Sequence, residues 1–106
     1  MKKSVKKKQW QISELIEASH SIARQKGWWD QERNEGELIA LMHSELSEAL
    51  EAMRNHSEVE LIAEELADCC IRIFDYCGAR KIDLDDAFTK KIEYNKGRPY
   101  RHGKKF

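Results

Sequence analysis

The sequence has few residues that interrupt helices. Its 106 residues include one proline and five glycines, whereas Glu, Lys, Leu, Ile and Ala are abundant. These abundant residues favour helix over sheet. A chain of this length has room for one domain. The composition therefore predicts an all-α fold, a compact bundle of about four helices that oligomerisation would complete.

The sequence also lacks a long hydrophobic run. No apolar stretch approaches the roughly 20 residues needed to span a bilayer, so no membrane partner is expected. The lysines of residues 1–8 have no apolar segment behind them, which excludes a secretory signal. The three cysteines lie in one helical segment without the spacing of a metal site. We expect reduced core thiols and a cytoplasmic protein.

Net charge is absent as well, but the charges are unevenly distributed. Residues 1–8 and residues 96–106 hold five bases each, so the middle of the chain carries nine bases against all 19 acids, or −10. We interpret residues 1–8 as a disordered basic arm and residues 9–106 as a single helical domain with a basic tail. Nucleic-acid contact by the arm is the less favoured interpretation.

Helical periodicity divides the domain into four segments. Ser57, with Glu60 three residues later, has the pattern of a capping box, and Asp83 is a favourable N-cap. The third segment is apolar around most of its circumference, which predicts a central position in the bundle. The predicted helices cover about residues 9–26, 37–54, 57–76 and 83–95, with the third fading near Gly78.

Two of these helices carry pairs of acids three residues apart. Successive residues of a helix are rotated by about 100° around its axis. On this basis Glu45 lies inside the apolar arc of the second helix and Glu48 lies at the edge of that arc. Glu65 and Asp68 share the narrow polar stripe of the third helix. In an antiparallel helix pair the four carboxylates would meet, and would then take up protons or bind a hard cation such as Mg²⁺. The alternative is that they are ordinary surface acids of amphipathic helices.

The C-terminal segment is rich in groups that bind phosphate. Lys91 and Asn95 are four residues apart and share one face of the fourth helix. Bases facing metal-binding acids are typical of a site for a nucleotide–Mg²⁺ complex. The candidate phosphate-binding residues are Lys91, Asn95, Arg98, Arg101 and Lys104.

Together these motifs resemble those of the MazG-like all-α NTP pyrophosphatases, which include the dimeric dUTPases and the dCTP pyrophosphatases. The resemblance rests on ExxE, on ExxD after 16 intervening residues, and on Lys-x-x-x-Asn-x-x-Arg. It covers about residues 13–105. Its implied metal ligands are Glu45, Glu48, Glu65 and Asp68, binding Mg²⁺ with Mn²⁺ as a possible substitute.

The resemblance also implies an activity. An activated water attacks the α-phosphorus, so that an NTP, expected to be a deoxynucleotide, becomes NMP and pyrophosphate. Glu48 and Lys91 are the implied catalytic residues, although the metal alone could activate the water. The resemblance further implies a homodimer or homotetramer and a role in nucleotide-pool housekeeping.

Candidates for nucleobase contact come from the same resemblance. Relatives similar to the dCTP pyrophosphatases place a histidine of the first helix and a loop tryptophan against the base. His20 and either Trp28 or Trp29 stand at comparable positions before Glu45. An aromatic ring stacks on any base, but a tryptophan pair after a helix is equally typical of a core or a subunit interface.

Three other functions were weighed. A ferritin-like di-iron bundle would need two ExxH motifs, and only Glu17–His20 has that spacing. A non-catalytic nucleic-acid-binding module and a purely structural oligomer both leave the inward-facing acids unexplained. Phosphohydrolases of the HD type are excluded because the chain contains no His-Asp pair.

Overall fold

The computed structural model describes residues 7–55 and 58–106 as an all-helical bundle. Within these two stretches there is no strand, which confirms the all-α prediction. The four helices are α1 (Ile12–Gln25), α2 (Glu35–Arg54), α3 (Val59–Arg80) and α4 (Leu84–Lys96), followed by a 3-10 turn at Tyr100–Gly103. In the part of the chain described, no helix has the length and apolar content that crossing a membrane requires.

The helix starts follow from capping side chains. The Asn34 side chain accepts a hydrogen bond from the Glu37 amide, and Asp83 accepts one from the Asp86 amide. Both satisfy amides that a helix leaves without partners in its first turn. The Asp83 cap was predicted and is confirmed. α1 begins at Ile12, three residues later than predicted, after Gln11 as its N-cap.

The predicted end of α3 near Gly78 is wrong. The helix continues through Gly78 to Arg80 and ends where Lys81 adopts a left-handed conformation, with φ of 56°. Gly78 serves packing here: a Cβ built on it would lie 2.6 Å from the Cβ of His20. Glycine at this position therefore allows α1 to approach α3 closely.

α3 is the central helix, and α1 and α2 pack against it. This confirms the prediction from the apolar residues around most of its circumference. Contacts pair the start of α2 with the end of α3 and the middle of α2 with the middle of α3, so these two helices are antiparallel. Between them lies a small core. Its buried apolar residues are Leu38, Ala49, Cys69 and Cys77.

Two helix surfaces of the bundle, one on α4 and one on α2, are exposed. α4 packs mainly against α1, and each of its residues except Leu84 is exposed. On α2, a stripe of large apolar side chains lies beside the face that contacts α3. Its members are half exposed: Ile39, Leu46, Leu50 and Met53.

Part of the sequence-based interpretation lies outside the described residues. This applies to residues 1–6 of the basic arm and to Ser57 as a cap. α3 starts at Val59, with Glu58 as its N-cap. Lys8, at the end of the arm, forms an ion pair of 2.9 Å with Glu14 and lies over the Trp10 ring.

Candidate functional site

The carboxylates of α2 and α3 converge where the two helices cross. Glu45, Glu65 and Asp68 each place an oxygen within 4.8 Å of the others. Glu45 is buried at 8% exposure although it is charged. The Oε2 atom of Glu65 is buried and has no hydrogen-bond partner among the described residues. Because an unpartnered buried oxygen is costly, this atom is suited to accept a ligand.

Glu48, the fourth predicted ligand, is exposed and lies outside the group of three acids whose oxygens are within 4.8 Å of one another. Its pKa is raised, first by a hydrogen bond with Glu45, then by one with Glu65, and further by repulsion from both. Carboxylates this close repel one another, which favours a bound proton or cation at the cluster.

One cation of the chain already touches the cluster. The Nε of Arg72 donates to Glu45 at 2.7 Å, with the Glu45 side chain only 11% exposed. Arg72 lies one helical turn after Asp68 on α3. Its guanidinium balances one of the four carboxylates and leaves the others for a further positive charge.

A cavity of about 350 Å³ opens beside the acids. Trp28, Ile22 and Ile71 give it apolar walls. Charged groups of both signs line the remainder: Lys26, Arg33, Arg72, Glu45, Asp68 and Asp75. The guanidinium carbon of Arg33 lies 5.6 Å from the centre of the Trp28 ring, which orders both side chains at the rim. Such a cavity can hold a flat ring with an anionic substituent.

Asp75 fixes two further candidates at the far end of this cavity. Its Oδ1 atom accepts from the indole N–H of Trp29 at 2.9 Å and lies 2.9 Å from Nδ1 of His20. The rings of His20 and Trp29 meet edge to face, 5.5 Å apart. The structure thus brings together His20 and Trp29, while Trp28 lines the cavity itself.

The candidate phosphate-binding residues lie elsewhere in the chain. Lys91 and Arg98 both stack over Tyr94 on the exposed side of α4. Asn95 is on the same helix. Arg101 and Lys104 follow it and are exposed. The described cavity beside the acids has no lining from this set, so their phosphate contacts stay a prediction.

Sequence reasoning missed four charged residues of the cavity. Lys26 and Arg33 fall in or beside a loop, where periodicity gives no direction. Arg72 and Asp75 lie on the same polar stripe of α3 as Glu65 and Asp68. Continuing the stripe from Asp68 by one and two helical turns would have found both, because positions i+4 and i+7 share a face.

Comparisons of the chain with protein-family models, with curated proteins and with solved structures find no match in any of the three. The functional interpretation therefore depends on the geometry of this site and on the motifs that the sequence carries.

Proposed function

We propose that this chain is a Mg²⁺-dependent nucleoside triphosphate pyrophosphohydrolase, which converts a (d)NTP and water into (d)NMP and pyrophosphate. The observation that carries the proposal is the convergence of Glu45, Glu65 and Asp68, with a buried unpartnered oxygen, beside a cavity with a tryptophan wall. The sequence resemblance to MazG-like pyrophosphatases supports it.

The donor set fits the proposed ion. Carboxylate oxygens are the ligands that Mg²⁺ prefers. The cluster supplies them from Glu45, Glu65 and Asp68, and exposed Glu48 is proposed as a fourth ligand on the strength of the motif. When bound, Mg²⁺ would polarise a phosphate oxygen and lower the pKa of a bound water. Mn²⁺ prefers similar ligands and could replace it.

Residues of the chain are proposed to bind the base and the phosphates. Trp28 offers a ring for a base to stack on. Lys26, Arg33 and Arg72 supply positive charge around the cavity for a triphosphate. Lys91 and Asn95 of α4, and Arg98 just after it, are proposed to contact phosphate as well, on the strength of the motif.

Product analysis tests the reaction. A panel of NTPs and dNTPs is incubated with the protein, with and without Mg²⁺, and the products are separated. We expect NMP and pyrophosphate only when the metal is present. NDP and orthophosphate would contradict the proposed attack at the α-phosphorus. The absence of any turnover would favour the alternative of a non-catalytic helical module.

Glu48→Gln tests the metal site without relying on turnover. Removing one charge from a repelling cluster should leave the metal-free protein equally or more heat-stable. Added Mg²⁺ should raise the melting temperature of the wild type by mass action, and that of the variant much less. Glu51→Gln, an exposed acid on the same helix, should respond like the wild type. Equal responses of all three proteins would contradict the metal site.

We also propose that the protein is a homodimer or homotetramer. The half-exposed apolar stripe of α2 offers a surface that a second copy could cover. Light scattering on the wild type and on Leu50→Lys tests this proposal. A lysine charge buried in the interface should dissociate the oligomer and lower the measured molar mass. A wild-type mass equal to one chain would contradict it.

A further inference from the structure

One carboxylate oxygen of Asp75 takes part in hydrogen bonds within the protein, and the other takes part in none among the described residues. Oδ1 receives both donors, the indole N–H of Trp29 and Nδ1 of His20. An ionised carboxylate only accepts hydrogen bonds, so the proton of the His20–Asp75 pair belongs on Nδ1. No donor among residues 7–55 and 58–106 reaches Oδ2. Each carboxylate oxygen can accept two hydrogen bonds, which leaves Oδ2 free for a ligand.

Asp75 lines the same cavity as the acids Glu45 and Asp68, and its side chain is only 15% exposed. Water therefore reaches this carboxylate poorly. A ligand that donates a hydrogen bond here gains more than it would at an open surface, and a ligand that offers a lone pair is penalised.

The position along α3 matches the length of a nucleotide. Asp75 lies seven residues, or two turns, beyond Asp68, which is about 10.5 Å along the helix axis. A nucleoside whose phosphates lie at the acid cluster would extend its base toward Asp75. Trp28 and Ile71 line the same cavity as the two aspartates, so a base bound there would contact apolar side chains and could reach the Asp75 acceptor.

We propose that Asp75 selects bases whose exocyclic amino group is N4 of cytosine or N6 of adenine. Carboxylates accept from the N4 amino group of cytosine in nucleic-acid recognition. Uracil and hypoxanthine differ from cytosine and adenine by a carbonyl oxygen at that place, and two acceptors would then face each other. His20 and Trp29 act as positioning residues that hold Oδ1, so that Oδ2 points to the cavity. The inference rests on the proposed function for the placement of the phosphates.

Paired substrates test the selection. The kcat/KM of the wild type is measured for dCTP against dUTP and for dATP against dITP, since each pair differs mainly in the amino or carbonyl group. We expect a preference of about tenfold or more for the amino member of each pair, the value of one hydrogen bond to a charged acceptor. Equal kcat/KM values within both pairs would overturn the inference and leave the proposed hydrolysis standing.

Asp75→Asn is the decisive variant. The Trp29 N–H needs an acceptor, so the amide should keep its oxygen toward Trp29 and turn its NH₂ group to the cavity. The preference should then reverse in favour of dUTP and dITP. Asp85→Asn, on the exposed face of α4, is the matched control and should keep the wild-type preference. Loss of activity without a change in preference would show that Asp75 is structural, and would overturn the inference.

Equilibrium dialysis of dCMP and dUMP without Mg²⁺ separates the two proposals and does not depend on the variant's folding. Tighter binding of dCMP to the wild type, even if no triphosphate is hydrolysed, would support the role of Asp75 and contradict only the proposed reaction. Equal binding of the two nucleotides, or no binding, would overturn the role of Asp75.

Discussion

At the scale of single residues, Arg72 decides how the acid cluster tolerates the absence of a metal. Its guanidinium is the cation that touches buried Glu45 in the described structure. A buried ion pair contributes little compared with an apolar pair, but removal of one partner leaves the other charge uncompensated. Arg72 therefore acts as an internal counter-ion, in competition with any metal for Glu45.

Arg72→Gln should destabilise the metal-free protein by about 1–3 kcal/mol, because Glu45 loses its charged donor. Mg²⁺ should then recover more stability in the variant than it adds to the wild type. Thermal melts with and without Mg²⁺ measure both effects. Arg80→Gln removes the exposed ion pair with Glu35 at the end of the same helix and is the control. Identical Mg²⁺ responses of the two variants would contradict this role of Arg72.

At the scale of the helix, the contact between α1 and α3 depends on one missing side chain. Alanine at position 78 would raise helix propensity by about 1 kcal/mol. Its Cβ, however, would meet His20 Cβ at 2.6 Å and Cγ at 2.9 Å. Atoms at these distances overlap, so the helices would have to separate.

Gly78→Ala should therefore lower the free energy of unfolding by about 1–3 kcal/mol, the usual cost of overpacking. Urea denaturation measures this difference. Gly97→Ala is the control, since a Cβ there would lie 3.7 Å from the Tyr94 carbonyl oxygen, an ordinary contact. A Gly78 variant as stable as the Gly97 variant would show that α1 can move away from α3 without lowering the free energy of unfolding.

The start of α2 is tied to the end of α3 through Glu35. Tyr76 donates to its Oε2 at 2.6 Å, and Arg80 pairs with its Oε1. The hydrogen bond from Tyr76, followed by that from Arg80, lowers the pKa of Glu35 below the ordinary 4.5. A lowered pKa means that Glu35 contributes stability above about pH 4.5, and that this contribution is lost as the pH falls through the folded-state pKa.

The wild type should therefore be more stable than Glu35→Gln at neutral pH, and the difference should shrink as the pH falls below about 4.5. Denaturant titrations at a series of pH values follow it. A constant difference between wild type and Glu35→Gln across the series would contradict the pKa argument.

The elements show what sequence could predict. Composition and periodicity predicted four helices and the central place of α3, because these depend on spacing within one helix. The convergence of Glu45, Glu65 and Asp68 depends in addition on the antiparallel packing of α2 against α3. The true end of α3 could not be predicted, since Gly78 is retained for its contact with His20, 58 residues earlier. The contacts of Asp75 with His20 and Trp29 likewise join distant segments, which local patterns do not record.

At the scale of the whole molecule, positive charge lies both in the N-terminal arm and in the segment of α4 and the residues after it. Two hypotheses about which of these segments matters for substrate binding lead to opposite predictions. Residues 1–6 contain three lysines, Lys2, Lys3 and Lys6. Lys91 and Arg98 contribute only one charge each, but at motif positions. Attraction by charge alone would make the arm more important, whereas recognition by geometry would favour α4.

Deletion of residues 1–6 should change kcat/KM little, while Lys91→Ala or Arg98→Ala should lower it about tenfold or more, the worth of a charge-assisted hydrogen bond to phosphate. Steady-state kinetics at one salt concentration compares the three proteins. The deletion leaves Lys8 and its ion pair with Glu14 in place. A large loss on deletion, with Lys91 and Arg98 dispensable, would revive a general polyanion-binding function.

The antiparallel packing of α2 against α3 has a consequence for the order of folding. All four candidate metal ligands lie in this hairpin, and its cross-helix bond from Arg72 to Glu45 spans 27 residues. The bond between His20 and Asp75 spans 55 residues, so its loop costs more entropy to close. Contacts of shorter range tend to form earlier. The acid half of the candidate site can thus form before α1 docks, and the docking of α1 then adds the half that is proposed to contact the base.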